Sequence, residues 1–536
     1  MARRITAQAL EAALGDGGEI AFLDVREIGR YHNGHPFLAI SVPLSRLELM
    51  IPALIPRRST RIVLTDDGEA EGPAATAATR LARHGYTDLA LLDGGVPAWG
   101  AAGHDLHPEY EVVAKSFAAF ARRHGKPAEI GPRELAAARA AGEDWIVVDA
   151  RPRAEYGRAT IPGSIDAAGP ELLRAFADLA PSPETKIAVH CATRTRGILG
   201  ALTLKAAGVP NPVHFLRDGV RAWRIAGMAP EEGADRMAAA PSPAALARAQ
   251  DRATSLCAAS GIPLIDSEAL GEWQDATGRT TYLFDVRTAE EYEAGHRPGA
   301  RSAPEGNIVM SPDSFFATLG ARIVLCDDDR VRASITAVWL AQMGWGELAV
   351  LTDGLDGVAS EKGPEPRAVL GLDAARGKVE TIAPEALESL LATGAAEVLD
   401  LARSDRFAGG HIPGAHWAIR AYLPGDLTGL SAGSEPLVLT SEDGALATLA
   451  AADLNGRVDR RLLVLEGGTA AWAARGLTLA RGMENALSPV EDRWFLSDER
   501  PGDVNTNMQA YIDWETGLYD ATRRDHETRF RNLLWA

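Results

Sequence analysis

A single cysteine occupies a position in which its sulfur can act as a nucleophile. Cys191 stands between the apolar run 187–189, which predicts a buried strand, and an apolar segment from residue 198, which predicts a helix. Loop and helix N–H groups can point at a sulfur placed there, and positive charge stabilises a thiolate. Arg194 and Arg196 supply that charge, and the loop contains no acidic residue. The pattern therefore predicts a thiolate that attacks its substrate.

The residues after the cysteine form the candidate substrate-binding loop. They are Ala192, Thr193, Arg194, Thr195, Arg196 and Gly197. Either arginine can bind an oxyanion through paired N–H donors. The alternative is a structural cysteine buried at a strand end, but two arginines beside a core cysteine would be costly without an anion to meet. Strand alternation turns His190 to the opposite face from Cys191, so we expect His190 to have a packing role.

These residues belong to one of four copies of an internal repeat. Each repeat contains an apolar strand that ends in an aspartate, at Asp24, Asp149, Asp285 and Asp400. A second apolar strand, 40–42 residues later, ends at Thr65, Cys191, Cys326 or Thr440. A third strand leads to a glycine turn and then to Trp99, Trp223 or Trp472, with Val358 in the third repeat. Strands that alternate with helical segments predict an α/β fold, in which each repeat is a parallel sheet flanked by helices with ligands at the carboxyl ends of the strands.

The chain resembles the rhodanese-like sulfurtransferase family, as a tandem four-domain member. The resemblance rests on the Asp-x-Arg openings at Asp24, Asp149 and Asp285, on the segments 295–299 and 410–414 with their Gly-His-x-Pro-Gly pattern, on the Gly-x-x-x-Trp ends, and on Cys191 with its loop. It implies rhodanese-like domains over 1–115, 116–240, 241–375 and 376–485, and a C-terminal extension over 486–536. Within the third domain, an alanine-rich stretch at 242–260 predicts a linker helix, in which Cys257 is expected to be a buried apolar residue.

This resemblance implies a sulfurtransferase. It would move a sulfane sulfur from a small anionic donor such as thiosulfate, through a persulfide on Cys191, to cyanide, a thiol or a protein acceptor. No cofactor or metal is expected, and we find no Cys/His cluster with metal-ligand spacing. The loop of related phosphatases and arsenate reductases is Cys-x5-Arg, whereas Cys191 to Arg196 is Cys-x4-Arg, which favours sulfur transfer. A Cys-based phosphatase or arsenate reductase is the rival enzyme, and a largely non-catalytic scaffold for a protein partner is the rival outside enzymes.

The other three repeats are expected to lack this chemistry. Thr65 and Thr440 are assigned to the nucleophile position in acidic loops, and a threonine without an activating base is a weak nucleophile. Cys326 is followed by three aspartates, which raise a thiol pKa and repel an oxyanion. We interpret Cys326 as a remnant; a second sulfur carrier, a resolving thiol and a phosphatase-like site are the alternatives.

One ion pair is predicted only in the two repeats that keep a cysteine. Arg151 and Glu155 lie four residues apart in the second repeat, and Arg287 and Glu291 have the same spacing in the third. Both pairs are expected to brace the start of their domain, as structural supports.

The composition limits the partners and the compartment. A net charge of −18 over 536 residues argues against nucleic acid or an anionic membrane as the main partner. Three cysteines, a polar start and the lack of an 18-residue apolar run favour the cytoplasm. The extension 486–536 holds Trp494, Trp514 and Trp535, and a disordered tail would be poor in aromatic residues. We expect it to pack on a domain of the same chain or to form a homodimer contact.

Overall fold

Four parallel five-stranded sheets, one from each repeat, form the framework of the protein. The computed structural model describes residues 2–355, 357, 360–430, 435–527 and 529–535. The first sheet contains β1 (Arg3–Ile5), β2 (Ile20–Asp24), β3 (Ile40–Ser41), β4 (Arg61–Thr65) and β5 (Leu89–Leu92). The second contains β6 (Ala128–Ile130), β7 (Trp145–Asp149), β8 (Ile165–Asp166), β9 (Lys186–His190) and β10 (Val213–Leu216). The third contains β11 (Leu264–Ile265), β12 (Thr281–Asp285), β13 (Arg301–Ser302), β14 (Arg322–Cys326) and β15 (Glu347–Leu351). The fourth contains β16 (Glu380–Ile382), β17 (Glu397–Asp400), β18 (His416–Trp417), β19 (Leu437–Thr440) and β20 (Leu462–Leu465). All four sheets share the order β1-β5-β4-β2-β3 of the first, which confirms the predicted α/β fold.

Helices connect the strands of every sheet. The first repeat has α1 (Ala7–Gly15), α2 (Ile28–His32), α3 (Leu47–Leu54), α4 (Pro73–Arg83) and α5 (Gly95–Ala101), followed by α6 (Val112–Gly125). The second repeat has α7 (Pro132–Ala140), α8 (Arg153–Arg158), α9 (Glu171–Leu179), α10 (Thr195–Ala206) and α11 (Gly219–Ile225), followed by α12 (Pro243–Ala259). The third has α13 (Ser267–Asp275), α14 (Ala289–Ala294), α15 (Asn307–Met310) and α16 (Val331–Met343), followed by α17 (Leu372–Arg376). The fourth has α18 (Pro384–Ala392), α19 (Ser404–Gly409), α20 (Ala445–Leu454) and α21 (Gly468–Ala474), and the extension has α22 (Val504–Ala521) and α23 (Arg523–His526). Short 3-10 turns lie at Leu44–Arg46, Pro304–Gly306, Pro312–Ser314, Arg420–Tyr422 and Gly425–Gly429. No described helix has both the length and the apolarity needed to cross a membrane.

The central strands are buried along almost their whole length. In β2 every residue is buried, and in β9 and β14 only the first is partly exposed. Helices on both faces of a parallel sheet leave no strand face to solvent, which explains why these strands are continuous apolar runs. The polar side chain at each strand end therefore lies in a low-dielectric environment and needs a partner.

In three repeats that partner is the arginine of the Asp-x-Arg opening. The Asp149 carboxylate accepts hydrogen bonds from Arg151 Nε at 2.9 Å and Nη2 at 2.6 Å. Asp24 with Arg26 and Asp285 with Arg287 repeat this geometry. The prediction that Arg151 pairs with Glu155 and Arg287 with Glu291 was therefore wrong, because each arginine is already engaged by the aspartate two residues earlier.

The described residues divide into two compact units. One contains the first and fourth sheets, from Met1–Asp16, Ile20–Tyr110 and Arg367–Trp494. Within it, the buried Arg420 donates to Glu48 at 2.7 and 3.1 Å and so joins the two repeats. Val358, which takes the place of the tryptophan in the third repeat, lies outside the described residues.

The other unit contains the second and third sheets and residues from Phe495 onward. The predicted linker helix is α12, which is capped by Ser242 and packs against α9 and α16 with Cys257 buried. α22 of the extension packs against α6 and buries Tyr511. These contacts confirm both the linker helix and the intramolecular packing of the extension; a homodimer contact stays a prediction.

Candidate active site in the second repeat

The loop between β9 and α10 holds the Cys191 sulfur in a buried cradle of backbone N–H groups. The sulfur accepts hydrogen bonds from the N–H groups of Thr193 and Gly197, and Cys191 is only 2% exposed. Burial raises the pKa of the thiol, while the charge of Arg196 and the two N–H groups lower it and the carboxylate of Glu515 raises it. The groups that oppose burial are those that would hold a sulfur anion in the cradle.

A glycine turn supports this loop from behind. Gly219, at the start of α11, has a φ of +52°, and a Cβ at this position would collide with the Cys191 carbonyl oxygen. The next residue, Val220, donates its N–H to that oxygen at 3.0 Å, and Arg221 donates its N–H to Ala192 at 3.0 Å. The glycine turn that sequence reasoning noted thus fixes the backbone on which Cys191 stands.

Arg196 is held beside the sulfur by a carboxylate from α8. Its Nη1 and Nη2 donate to the two oxygens of Glu155 at 2.7 and 2.8 Å. Glu155 and Cys191 raise the pKa of Arg196 through their charge, against the opposing effect of burial. Glu155 therefore orients the guanidinium that lowers the pKa of the Cys191 thiol, which is a different role from the brace predicted with Arg151.

Arg194 and Thr195 are engaged by the C-terminal extension. Arg194 Nη1 donates to the hydroxyl of Thr516, and Arg194 Nε lies 3.5 Å from a carboxylate oxygen of Asp218. Thr195 Oγ1 donates to Glu515 Oε1 at 3.0 Å. Sequence reasoning missed these partners, since no pattern in the sequence connects α22 with a loop more than 300 residues earlier.

His190 faces away from the cradle, as strand alternation predicts. The imidazole is fully buried, with Nε2 3.0 Å from Ser164 Oγ and 3.8 Å from the Asp149 carboxylate. Burial lowers the pKa of His190. These contacts agree with a packing role.

The register of the sheets corrects the comparison between repeats. Each strand-ending aspartate pairs with the last residue of the next central strand: Asp149 with His190, Asp24 with Thr65, Asp285 with Cys326, and Asp400 with Thr440. Thr65, Cys326 and Thr440 are therefore the equivalents of His190. The equivalents of Cys191 lie one residue later, at Asp66, Asp327 and Ser441, so the assignment of Thr65, Cys326 and Thr440 to the nucleophile position was wrong. The signal was present in the sequence, since Cys191 lies 42 residues after its aspartate and Cys326 only 41.

In two other repeats a carboxylate fills the cradle. Asp327 accepts N–H groups of Arg330 at 2.5 Å and Ala333 at 3.0 Å. Asp66 accepts those of Gly68 at 2.8 Å and Ala74 at 2.9 Å. The loop of the third repeat is thus Asp327-x4-Arg332, with the same spacing as Cys191-x4-Arg196.

Cys326 lies in the apolar core of the third repeat. Its side chain is fully buried in a cluster with Leu283, Val324 and Ala349. Burial and the charges of Asp285 and Asp327 raise the pKa of its thiol well above the ordinary range. The structure therefore brings residues 191–197 together as one site and leaves Cys326 outside any cradle.

Each of the four repeats matches a known protein family. A family model described as a rhodanese-like domain matches residues 6–102, 132–226, 267–361 and 383–475. The crystal structure of a thiosulfate sulfurtransferase from Pseudomonas aeruginosa has a TM-score of 0.93 and 40% identity, over 99% of each chain. A protein of unknown function from Rhodopseudomonas palustris, titled a possible tyrosine phosphatase, has a TM-score of 0.19 and 21% identity, over 22% of this chain and 99% of its own. No curated protein matches the sequence. Among the described residues, no group of three or more His, Cys, Asp or Glu side chains has a metal-binding arrangement.

Proposed function

Because the chain belongs to the rhodanese-like family, we propose that it transfers a sulfane sulfur through a persulfide on Cys191. The observation that carries the proposal is the cradle, in which the N–H groups of Thr193 and Gly197 meet the Cys191 sulfur beside the Arg196 guanidinium. A persulfide is an anion, and these groups stabilise an anion at this point. A solved structure that matches 99% of the chain is named a thiosulfate sulfurtransferase, which makes thiosulfate the first donor to test.

The reaction proceeds in two displacements. The Cys191 thiolate attacks the outer sulfur of thiosulfate, a sulfur–sulfur bond forms, and the bond to the sulfonyl sulfur breaks so that sulfite leaves with the electron pair. The acceptor, which is cyanide, a thiol or a protein thiol, then attacks the terminal sulfur, and Cys191 leaves as a thiolate. Arg196 stabilises the sulfur anion at both stages, and Arg194 orients the anionic donor.

We assign the reaction to the cytoplasm, because the three cysteines are unpaired and fit a reducing compartment.

Intact-mass spectrometry tests this mechanism. Brief exposure to thiosulfate is expected to add about 32 Da, one sulfur atom, and cyanide to remove it. The gain should disappear in Cys191→Ser and persist in Cys326→Ser. If the adduct persists in Cys191→Ser, or if the wild type takes up no sulfur from thiosulfate or 3-mercaptopyruvate, the proposal is wrong.

A further inference from the structure

A cation-lined cavity of about 450 Å³ lies beside the Cys191 loop. Its walls come from α6, from the first turn of α10 and from α22. Five cationic side chains line it: Lys115, Arg122, Arg123, Lys126 and Arg194. Two acidic residues, Glu515 and Asp520, also line it. In a chain with a net charge of −18, this local excess of positive charge runs against the overall field.

Three of the five cations face a carboxylate, since Lys115 lies 3.4 Å from Glu111, Arg122 pairs with Glu129 and Arg194 lies 3.5 Å from Asp218. The other two, Arg123 and Lys126, form no ion pair with the described residues. Arg122 reaches Glu129 at 2.8 Å, and Arg123 stacks over the Tyr519 ring. The Lys126 ammonium makes no hydrogen bond or ion pair with the described residues. Arg123 and Lys126 therefore place two positive charges at the cavity that no described carboxylate pairs with. An anion in the cavity would pair with these two charges.

Most of the cavity wall comes from segments outside the domain that the family model matches. The family model matches 132–226 in this repeat, whereas α6 ends at Gly125 and α22 begins at Val504. The domain itself supplies only the loop and the first turn of α10, which carry Arg194, Thr195 and Ile198. A ligand in the cavity therefore lies against the same loop whose N–H groups hold the Cys191 sulfur.

We propose that this cavity binds the body of the sulfur acceptor, a small organic thiol that carries two or more negative charges. The proposal rests on the sulfur transfer proposed above. Cys191 is 2% exposed and α22 contacts its loop, which suits a slim low-molecular-weight thiol better than a cysteine on a protein surface. The cavity volume falls within the range of about 300–1,000 Å³ that small-molecule sites occupy, which leaves room for an organic body that thiosulfate lacks.

The transfer needs no further reactant. The acceptor thiolate attacks the terminal sulfur of the Cys191 persulfide and forms a new sulfur–sulfur bond. The bond between the two persulfide sulfurs breaks, and Cys191 leaves as a thiolate with the electron pair. The acceptor leaves as its persulfide, and the proton of its thiol goes to solvent.

The kinetic test uses thiols of different charge on enzyme already loaded with one sulfur. Mercaptosuccinate is dianionic, 2-mercaptoethanol is neutral and cysteamine is cationic. The double variant Arg123→Gln, Lys126→Gln should raise the KM for mercaptosuccinate about tenfold and leave that for 2-mercaptoethanol within about twofold. Comparing each thiol between variant and wild type removes differences in thiol nucleophilicity. Arg248→Gln, which removes one positive charge from an exposed position of α12 outside the cavity, is the control and should change neither KM.

A binding test separates this proposal from the sulfur transfer on which it rests. (Methylthio)succinate, which has no free thiol, is titrated by calorimetry into Cys191→Ser. Saturable binding that the double variant abolishes is expected, and Lys126→Gln alone should weaken binding if the double variant folds poorly. No saturable binding up to about 10 mM would overturn the cavity proposal, whatever the mass experiment shows. Binding without any change in the KM for mercaptosuccinate would overturn the acceptor assignment and leave an anion site of another role.

Discussion

Arg196 and Arg332 occupy equivalent positions, so the same substitution can separate the charge at the sulfur from the bracing of the fold. Each lies 41 residues after the glutamate that it contacts, Glu155 or Glu291. Only Arg196 faces a cysteine in the cradle. We therefore compare Arg196→Met with Arg332→Met.

We expect Arg332→Met to lose more stability than Arg196→Met, and Arg196→Met to lose more activity. The Arg332 side chain is 3% exposed and contacts Glu171, Glu291 and Asp328 at 2.6, 2.8 and 2.7 Å. Removing one partner of a buried ion pair costs about 3–5 kcal/mol, and because these carboxylates are 24–40% exposed we expect about 2–3 kcal/mol for Arg332→Met. Within the described part of the chain, Arg196 forms an ion pair only with Glu155, whose side chain is 37% exposed, so we expect about 1–2 kcal/mol for Arg196→Met.

Activity should respond only at Arg196. Its charge is the largest influence that lowers the pKa of the Cys191 thiol, so Arg196→Met should slow sulfur loading at neutral pH by at least about tenfold and move the pH profile to higher pH. Arg196→Lys keeps the charge and should recover part of the rate. Arg332→Met should load at the wild-type rate. Stopped-flow loading with thiosulfate and urea unfolding measure the two effects. An unshifted pH profile for Arg196→Met would refute the assigned role of Arg196.

Three further substitutions test the support of the cradle, the role of the second buried thiol and a buried acid. Gly219→Ala should reduce sulfur loading more than tenfold, because its Cβ meets the Cys191 carbonyl oxygen; Gly227→Ala, also at positive φ but in open space, is the control and should load normally. Cys326→Ala should lose about 1–2 kcal/mol of stability in urea but load sulfur at wild-type stoichiometry; lost uptake would contradict its place in the core. Burial raises the pKa of Glu27 to about 7, so the folded state holds a proton that the unfolded state releases and stability falls as pH rises from about 4.5 to 7. Glu27→Gln should flatten this decline in urea midpoints measured across that pH range, and an equal decline in both proteins would show that other groups cause it.

The fold was predictable from the sequence because parallel strands covered on both faces must be apolar throughout. The apolar runs that end at Asp24 and Asp149 can be recognised as strands in that way. The loop of Cys191 can be recognised by its cysteine and two arginines directly after such a run. The partners of the loop were not predictable. Glu155 was assigned to Arg151 because four-residue spacing favours a pair on one helix, whereas Arg151 lies before α8 and turns back to Asp149.

The position of the nucleophile was the least predictable feature, because a cysteine in each of two repeats invites alignment of the two. A one-residue shift along a strand moves a side chain to the opposite face, so Cys326 enters the core and Asp327 enters the cradle. Only the hydrogen-bond register separates the two alignments. The spacing from aspartate to cysteine differs by one residue between the second and third repeats. That spacing alone does not show which of the two cysteines lies in the cradle.

The register also explains why the repeats without a cradle cysteine keep a polar residue there. Loop N–H groups that converge on a buried point must be satisfied, and leaving them without an acceptor costs about 1–3 kcal/mol each. An apolar residue at Asp66 or Asp327 would leave two such groups unpaired, whereas the carboxylate accepts both. Ser441 accepts the N–H of Ala447 at 3.3 Å in the fourth repeat. The cradle geometry that favours a sulfur anion at Cys191 is thus met by an oxygen acceptor at Asp66, Asp327 and Ser441.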